Sequence, residues 1–227
     1  MAQMICISYL PWQNTPFRTQ RLVTHLPDME TLFFQPAIGQ PASSEGIHVL
    51  PNLTVYTLPA SLFSQDLRPR TIRRGIELIK QQMENNGFEE PLLWACTPMA
   101  ALLLDDIPHH GLIYDCDRFW HHLPVTLESN LAYQADLILT ASQGLEERLS
   151  LCNDNIAQIP WGTDVGLYAS MEQERLPIPP DFEAICTRGP VFGYLGAVEH
   201  RLNLNPVLSA AAAHPDWQFV FLGKYSP

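Results

Sequence analysis

Short apolar runs alternate with amphipathic stretches along most of the chain. MICISYL (4–10), TLFFQP (31–36), LTVYTLP (53–59), PLLWACT (91–97), GLIYDCD (111–117), DLILTAS (136–142) and IAQIPWG (156–162) have the length and apolar content of strands. Several are apolar nearly throughout, which is the pattern of a strand covered on both faces. Between them, PFRTQRLVTHL (16–26) sets Leu22, Val23 and Leu26 at helical spacing before Pro27. Residues 70–86 place Ile72, Ile76, Ile79 and Met83 on one face and close on Asn86-Gly87, a helix C-terminal signal. PMAALLLDD (98–106) reads as a helix with proline in its first turn, and TLESNLAYQA (126–135) and QGLEERLSL (143–151) complete the set. Residues 37–52 read as loop. Strands alternating with helices predict a parallel sheet with helices on its faces, a Rossmann-like α/β domain.

Near residue 164 the pattern changes. Residues 164–189 are polar and rich in proline, a connector with one helical turn. A new βαβ pattern then opens with VFGYLGAV (191–198), NPVLSAAAAHP (205–215) and WQFVFLG (217–223). The expected organisation is a first domain over 1–168, a linker over 169–189 and the start of a second domain over 190–227. Two strands and a helix do not close a core, so this second domain is expected to be incomplete.

Composition narrows the class. Of 227 residues 46% are apolar and 16% charged, enough to bury a full core and too few charges for a disordered chain. Thirteen basic residues against 24 acidic give a net charge of −11, which disfavours nucleic acid. The five cysteines are scattered and include no CxxC pair, as in a reduced, cytoplasmic protein. The N-terminus lacks the basic region of a signal peptide, and no run approaches the ~20 apolar residues of a membrane span.

Neither GxGxxG nor GxxxxGK[ST] occurs, which argues against nicotinamide enzymes, nucleotide-sugar epimerases and P-loop NTPases. No cofactor is expected. Gly193-Tyr194-Leu195-Gly196 ends the strand that opens the second unit; a glycine there lets a phosphate approach the following helix, or simply makes a tight turn. Ser142 lacks the GxSxG context of a hydrolase and suits a helix N-cap. Cys96 has no local base.

HHGLIYDCDRFWHH (109–122) is the richest stretch in ligand-type side chains. A strand over 111–117 spans roughly 20 Å at ~3.3 Å per residue, so His109 and His110 sit at the opposite edge from Asp117, His121 and His122. No metal site is expected. Ligands of open α/β sheets bind beyond the carboxyl ends of strands, where Asp115, Asp117, His121 and His122 fall. Groups of this kind orient hydroxyls or act as acid and base. Arg68, Arg70, Arg73 and Arg74 gather within seven positions; on an acidic chain they suit an anionic membrane surface, or else a solvated helix face.

The Pro-Trp loop followed by an Arg-bearing first helix, then LIYDCD, LESNLAYQADLILTAS, IAQIPWGTDVGLY, FGYLGAVEHRLNL and HPDWQFVFLG, together resemble bacterial group 1 glycosyltransferases of the GT-B fold. The likeness runs in order over nearly the whole chain. Trp161 stands where the family usually has asparagine, and the family's later acidic motif has no counterpart before Pro227. The resemblance implies two Rossmann-like domains acting on a nucleotide sugar, the second incomplete here, so that turnover by these 227 residues alone is not expected. It implies sugar transfer to a saccharide or lipid-linked acceptor in cell-surface polysaccharide synthesis, with retention at the anomeric carbon and no required metal. A transferase-like module that binds a glycan or partner chain without catalysis is the alternative. Gly196 and Arg201 match the donor-diphosphate residues. Asp117 and His122 are the candidate catalytic residues in contact with sugar. Trp12, Arg18, Gly162 and Asp164 are expected along the acceptor side of the cleft. The location expected is cytoplasmic, with peripheral contact at the inner face of the membrane.

Overall fold

The structure, a computed structural model, describes residues 1–12, 17–39, 42–64, 68–173, 177–186, 189–200 and 202–225. The chain divides into two compact units, Met1–Gly162 and Thr163–Pro227.

The first unit carries β1 (Ala2–Ile7), α1 (Arg18–Thr24), β2 (Met29–Pro36), β3 (Ile47–Leu50), β4 (Leu53–Leu58) and α2 (Pro69–Asn85). It continues with β5 (Leu92–Ala95), β6 (Gly111–Cys116), α3 (Val125–Gln134), β7 (Leu137–Thr140), α4 (Gln143–Leu149) and β8 (Ile156–Gln158). The eight strands form one sheet in the order β3-β4-β2-β1-β5-β6-β7-β8. Every pairing is parallel except β3 against β4. The exception falls in the stretch 37–52 expected as loop: Ile47–Leu50 is a largely exposed edge strand with a register shift, so it lacks the buried apolar run that marks the others.

Period-two alternation sorts the core into two faces. Ile5, Ile7, Leu32, Phe34, Leu93, Leu112, Tyr114 and Ile138 point to the face covered by α2, α3 and α4, through Ile79, Met83, Leu131, Leu145 and Leu149. Met4, Cys6, Phe33, Val55, Trp94, Cys96 and Leu139 point to the other face, with Val23 of α1. The α2 helix stops as its sequence suggests. Gly87 takes φ +70°, and the Phe88 and Gly87 amides return to the carbonyls of Met83 and Glu84. The expected helix at 98–106 is a 3-10 turn over Pro98–Leu102, capped by the Thr97 hydroxyl on the Met99 amide.

The second unit holds α5 (Val165–Gln173), α6 (Pro180–Cys186), β9 (Val191–Leu195), α7 (Asn205–Ala213) and β10 (Gln218–Leu222). The stretch read as a connector therefore carries two helices. The weak amphipathicity of α5 and the prolines at 177, 179 and 180 leave no clear helical period in the sequence. The β9 and β10 strands pair in parallel, in the βαβ arrangement expected for 190–227. Among the described residues no helix is long and apolar enough to cross a membrane.

Candidate functional site

β1 lies between β2 and β5; the chain runs from β1 outward through β2 to β4 on one side, then crosses back to β5 on the other. This is the topological switch of a doubly wound sheet, the place where such folds bind ligands beyond the carboxyl ends of their strands. The side chains that follow β1 and end β6 meet there.

Ile113, Asp115 and Asp117 alternate onto the face that α1 covers. Arg18, the first residue of α1, sends Nε and Nη2 to Asp115 Oδ1 at 3.1 and 2.9 Å. Both side chains are nearly without exposure, 3% and 1%. Its Nη1 donates to the carbonyl of Ile159 and, at 3.3 Å, to that of Pro160. One guanidinium thus ties α1, β6 and the turn after β8. A cation at a helix N-terminus opposes the helix dipole, and Asp115 supplies the offset. Burial raises the pKa of Asp115 above its ordinary carboxylate value, while Arg18 draws it back. Asp117 adds to the rise; the Trp94 indole lies near enough to favour the charged form without a hydrogen bond of good geometry.

Asp117 sits one step further toward the edge, and its side chain is only 4% exposed. The Tyr9 hydroxyl donates to its Oδ2 at 2.6 Å, and Arg118 Nε donates to its Oδ1 at 3.2 Å. Burial first, and then the neighbouring Asp117, push the Tyr9 phenol well above its ordinary value, so it remains a donor. Arg118 lies over the Tyr9 ring at 4.4 Å, with the Trp120 ring at 5.9 Å; Tyr9 and Trp120 meet edge to face at 4.9 Å.

Behind β6 a second network holds this segment. Arg148 grips Glu128 with two bonds of 2.6 and 2.7 Å, and the Tyr114 hydroxyl adds a third at 2.8 Å. Arg148 also lies 5.3 Å from the Phe119 ring, on which His121 stacks at 5.5 Å. His122 is exposed, its ring 5.8 Å from that of Trp120. Trp12 packs edge to face on Phe33 at 5.1 Å, and its amide donates to Gln35 Oε1. Trp12, Arg18, Asp117 and His122 therefore all lie at the carboxyl edge of the first sheet.

The other expected residues fall elsewhere. Gly162 is the exposed last residue of the first unit, and Asp164 is exposed just before α5. Gly196 ends β9 with φ +153°, and its amide donates to the Leu222 carbonyl at 3.0 Å. Arg201 lies outside the described residues. Among the described residues no group of three His, Cys, Asp or Glu side chains is placed to hold a metal.

Tyr9, Arg118 and Trp120 belong to the cluster, yet nothing in the sequence reading singled them out. The clue was the interleaving of Arg with Phe and Trp in DRFWHH, where the aspartates and histidines took precedence. Tyr9 looked like one more apolar position.

The fold is that of the GT-B glycosyltransferases, as the resemblance in sequence implied. Sucrose-phosphate synthase from Thermosynechococcus elongatus matches at a TM-score of 0.65 and 15% identity, over 100% of this chain and 63% of that one. The α,α-trehalose-phosphate synthase (UDP-forming) from Burkholderia vietnamiensis matches at 0.65 and 12%, over 100% and 64%. An E. coli structure described as trehalose-6-phosphate bound with UDP-2-fluoro glucose matches at 0.64 and 12%, over 99% and 65%. At these identities the likeness is one of fold. In sequence, the chain is 26% identical over 159 residues to "Putative teichuronic acid biosynthesis glycosyltransferase TuaH" of Bacillus subtilis (strain 168), covering 61% of this chain and 38% of that protein. The chain thus spans less than two thirds of the length of each of these proteins. No family model matches it.

Proposed function

We propose that the protein is a glycosyltransferase that moves a sugar from a nucleotide-sugar donor to a saccharide or lipid-linked acceptor in cell-surface polysaccharide synthesis. The observation that carries this reading is the agreement of two separate likenesses. The sequence relative is described as a teichuronic acid biosynthesis glycosyltransferase, and the fold neighbours include a UDP-forming synthase and a structure bound with UDP-2-fluoro glucose. Retention at the anomeric carbon is part of the proposal, supported by a trehalose-6-phosphate synthase of similar fold described as transferring with retention. The proposal needs no metal. Gly196 lets the backbone approach a diphosphate, and Arg201 neutralises the leaving nucleotide with its planar fork.

At the acceptor side, the exposed His122 ring is assigned to a sugar hydroxyl. Asp117 acts through the Arg118 it fixes, since both of its oxygens already accept hydrogen bonds. Arg18 and Trp12 hold the loop and helix that frame this edge, and Gly162 and Asp164 shape the turn into the second unit.

The proposal places the protein in the cytoplasm, in peripheral contact with the membrane through Arg68, Arg70, Arg73 and Arg74. All four are exposed, and none pairs with a carboxylate among the described residues. The α2 helix follows the carboxyl end of β4, so its first turn lies at the same sheet edge as the cluster.

A thermal-shift screen of the protein in a form whose second domain is complete, against UDP-, GDP- and ADP-sugars, tests the central reading. A donor at 100 times its Kd stabilises the folded state by about 2.7 kcal/mol. One nucleotide class is expected to raise the melting temperature; no response to any of them, together with no sugar transfer, would contradict the proposal.

A further inference from the structure

Arg118 is a cation prepared for a ligand rather than one satisfied within the protein. Its Nε is spent on Asp117, while its two terminal nitrogens have no hydrogen-bond partner among the described residues. The side chain is 45% exposed although its anchor Asp117 is only 4% exposed. The guanidinium lies on the Tyr9 ring and beside Trp120, so its plane is fixed by contacts on one side and by the Asp117 bond along one edge. Tyr9 in turn holds Asp117 through its hydroxyl. A long side chain that is already ordered loses little further freedom when it binds, and its open fork suits the two oxygens of an oxyanion.

The surroundings favour an anion at this point. The chain carries a net charge of −11, so a negatively charged ligand needs a local cation to approach. Arg18, the neighbouring cation at this edge, is buried and fully used by Asp115 and the Ile159 and Pro160 carbonyls. Arg148 is committed to Glu128. Arg118 alone of the three offers free donors to the carboxyl edge of the sheet, with the exposed Phe119, His121 and His122 beside it.

We infer that Arg118, set by Asp117 and Tyr9, is the binding residue for an acidic group on the acceptor sugar, a carboxylate or a phosphate. The acceptor is then an acidic saccharide, and the aromatic rings beside Arg118 carry the apolar faces of its ring. Calling this ligand an acceptor rests on the glycosyltransferase reading above; the anion site itself rests on the geometry of Arg118.

The test is a titration of the protein with D-glucose 6-phosphate, D-glucuronate and D-glucose, followed by the NMR signal of the Arg118 Nε–H. At least one of the two acidic sugars is expected to bind, and which of them binds more tightly identifies the oxyanion; glucose at the same concentrations is expected to leave the signal in place. Arg118→Gln should weaken the binding at least tenfold by calorimetry, with Arg118→Lys between the two because it keeps the charge and loses the fork. Asp117→Asn, which frees the guanidinium, should weaken it as well. Unchanged affinity in Arg118→Gln, equal binding of glucose, or no binding of either acidic sugar would overturn the inference. Nucleotide-sugar stabilisation measured in parallel separates the two readings. Donor binding retained without an effect of Arg118→Gln removes this inference alone, whereas absence of donor binding by a form whose second domain is complete removes the transferase reading.

Discussion

Arg18 and Asp115, 97 residues apart in sequence, form a buried ion pair with Nη2 and Oδ1 2.9 Å apart. The pair connects the first residue of α1 to the end of β6, and its remaining donor reaches the turn after β8. Removing one partner of such a pair strands the other charge in a medium that solvates it poorly.

Arg18→Met is expected to cost about 3–5 kcal/mol at neutral pH, the usual penalty for an orphaned buried charge. The loss should shrink on acidification. Asp115 already titrates above its ordinary value, and without Arg18 it rises further. The folded state then binds a proton that the unfolded state does not, so stability is present at low pH and is lost as pH rises through the folded-state value. Melting temperatures of the variant and the parent at pH 5 and pH 7.5 check this. A second change, Asp115→Leu, should restore most of the loss; an equal deficit at both pH values would contradict the assignment.

Gly223 follows β10 with φ +155°, and a Cβ placed on it would stand 2.0 Å from the carbonyl oxygen of Gly196. The two glycines let the ends of β9 and β10 approach. Gly223→Ala is expected to destabilise the second unit by at least the ~1–3 kcal/mol of a disfavoured backbone conformation, with the clash in addition. Limited proteolysis should show new cuts within 190–225 and an unchanged pattern within 1–162. Unaltered protection of the second unit would mean that the backbone relaxes freely there.

The four arginines at the start of α2 oppose its helix dipole, and no acidic residue sits in its first turn to balance them. Vesicles containing anionic lipid should co-sediment the protein at low salt, and neutral phosphatidylcholine vesicles should not. Each arginine near the surface contributes about 1 kcal/mol. Arg73→Glu with Arg74→Glu should therefore reduce binding by at least tenfold, as should raising the salt to 0.5 M. Equal sedimentation of parent and variant would return these arginines to a solvated helix face.

The parallel sheet was legible because β1, β2, β4, β5, β6 and β7 are buried on both faces and therefore read as nearly continuous apolar runs. The edge strand β3 was not, since the largely exposed Ile47 to Leu50 carry no such run. The helices α5 and α6 are not legible in the same way, because their sequences, rich in polar residues and proline, carry no clear apolar period. At the site, the aspartates of LIYDCD were visible as acids at a strand end. Their different roles were not, because these depend on residues far off in sequence. Arg18 reaches Asp115 and Tyr9 reaches Asp117 only after α1 and β1 have packed against β6. A carboxylate's partners are a matter of tertiary structure, while its presence is a matter of spacing.

The most direct measurement is the proton NMR spectrum of a transfer reaction containing the protein in a form whose second domain is complete, UDP-, GDP- or ADP-glucose, and an acidic saccharide acceptor. The expected result is release of the nucleoside diphosphate with a new glycosidic anomeric signal of the same configuration as the donor, without added metal and greatly reduced by Arg118→Gln. Failure of all three donors to give any glycosidic product with an acidic or a neutral saccharide would contradict the assignment of this protein as a glycosyltransferase.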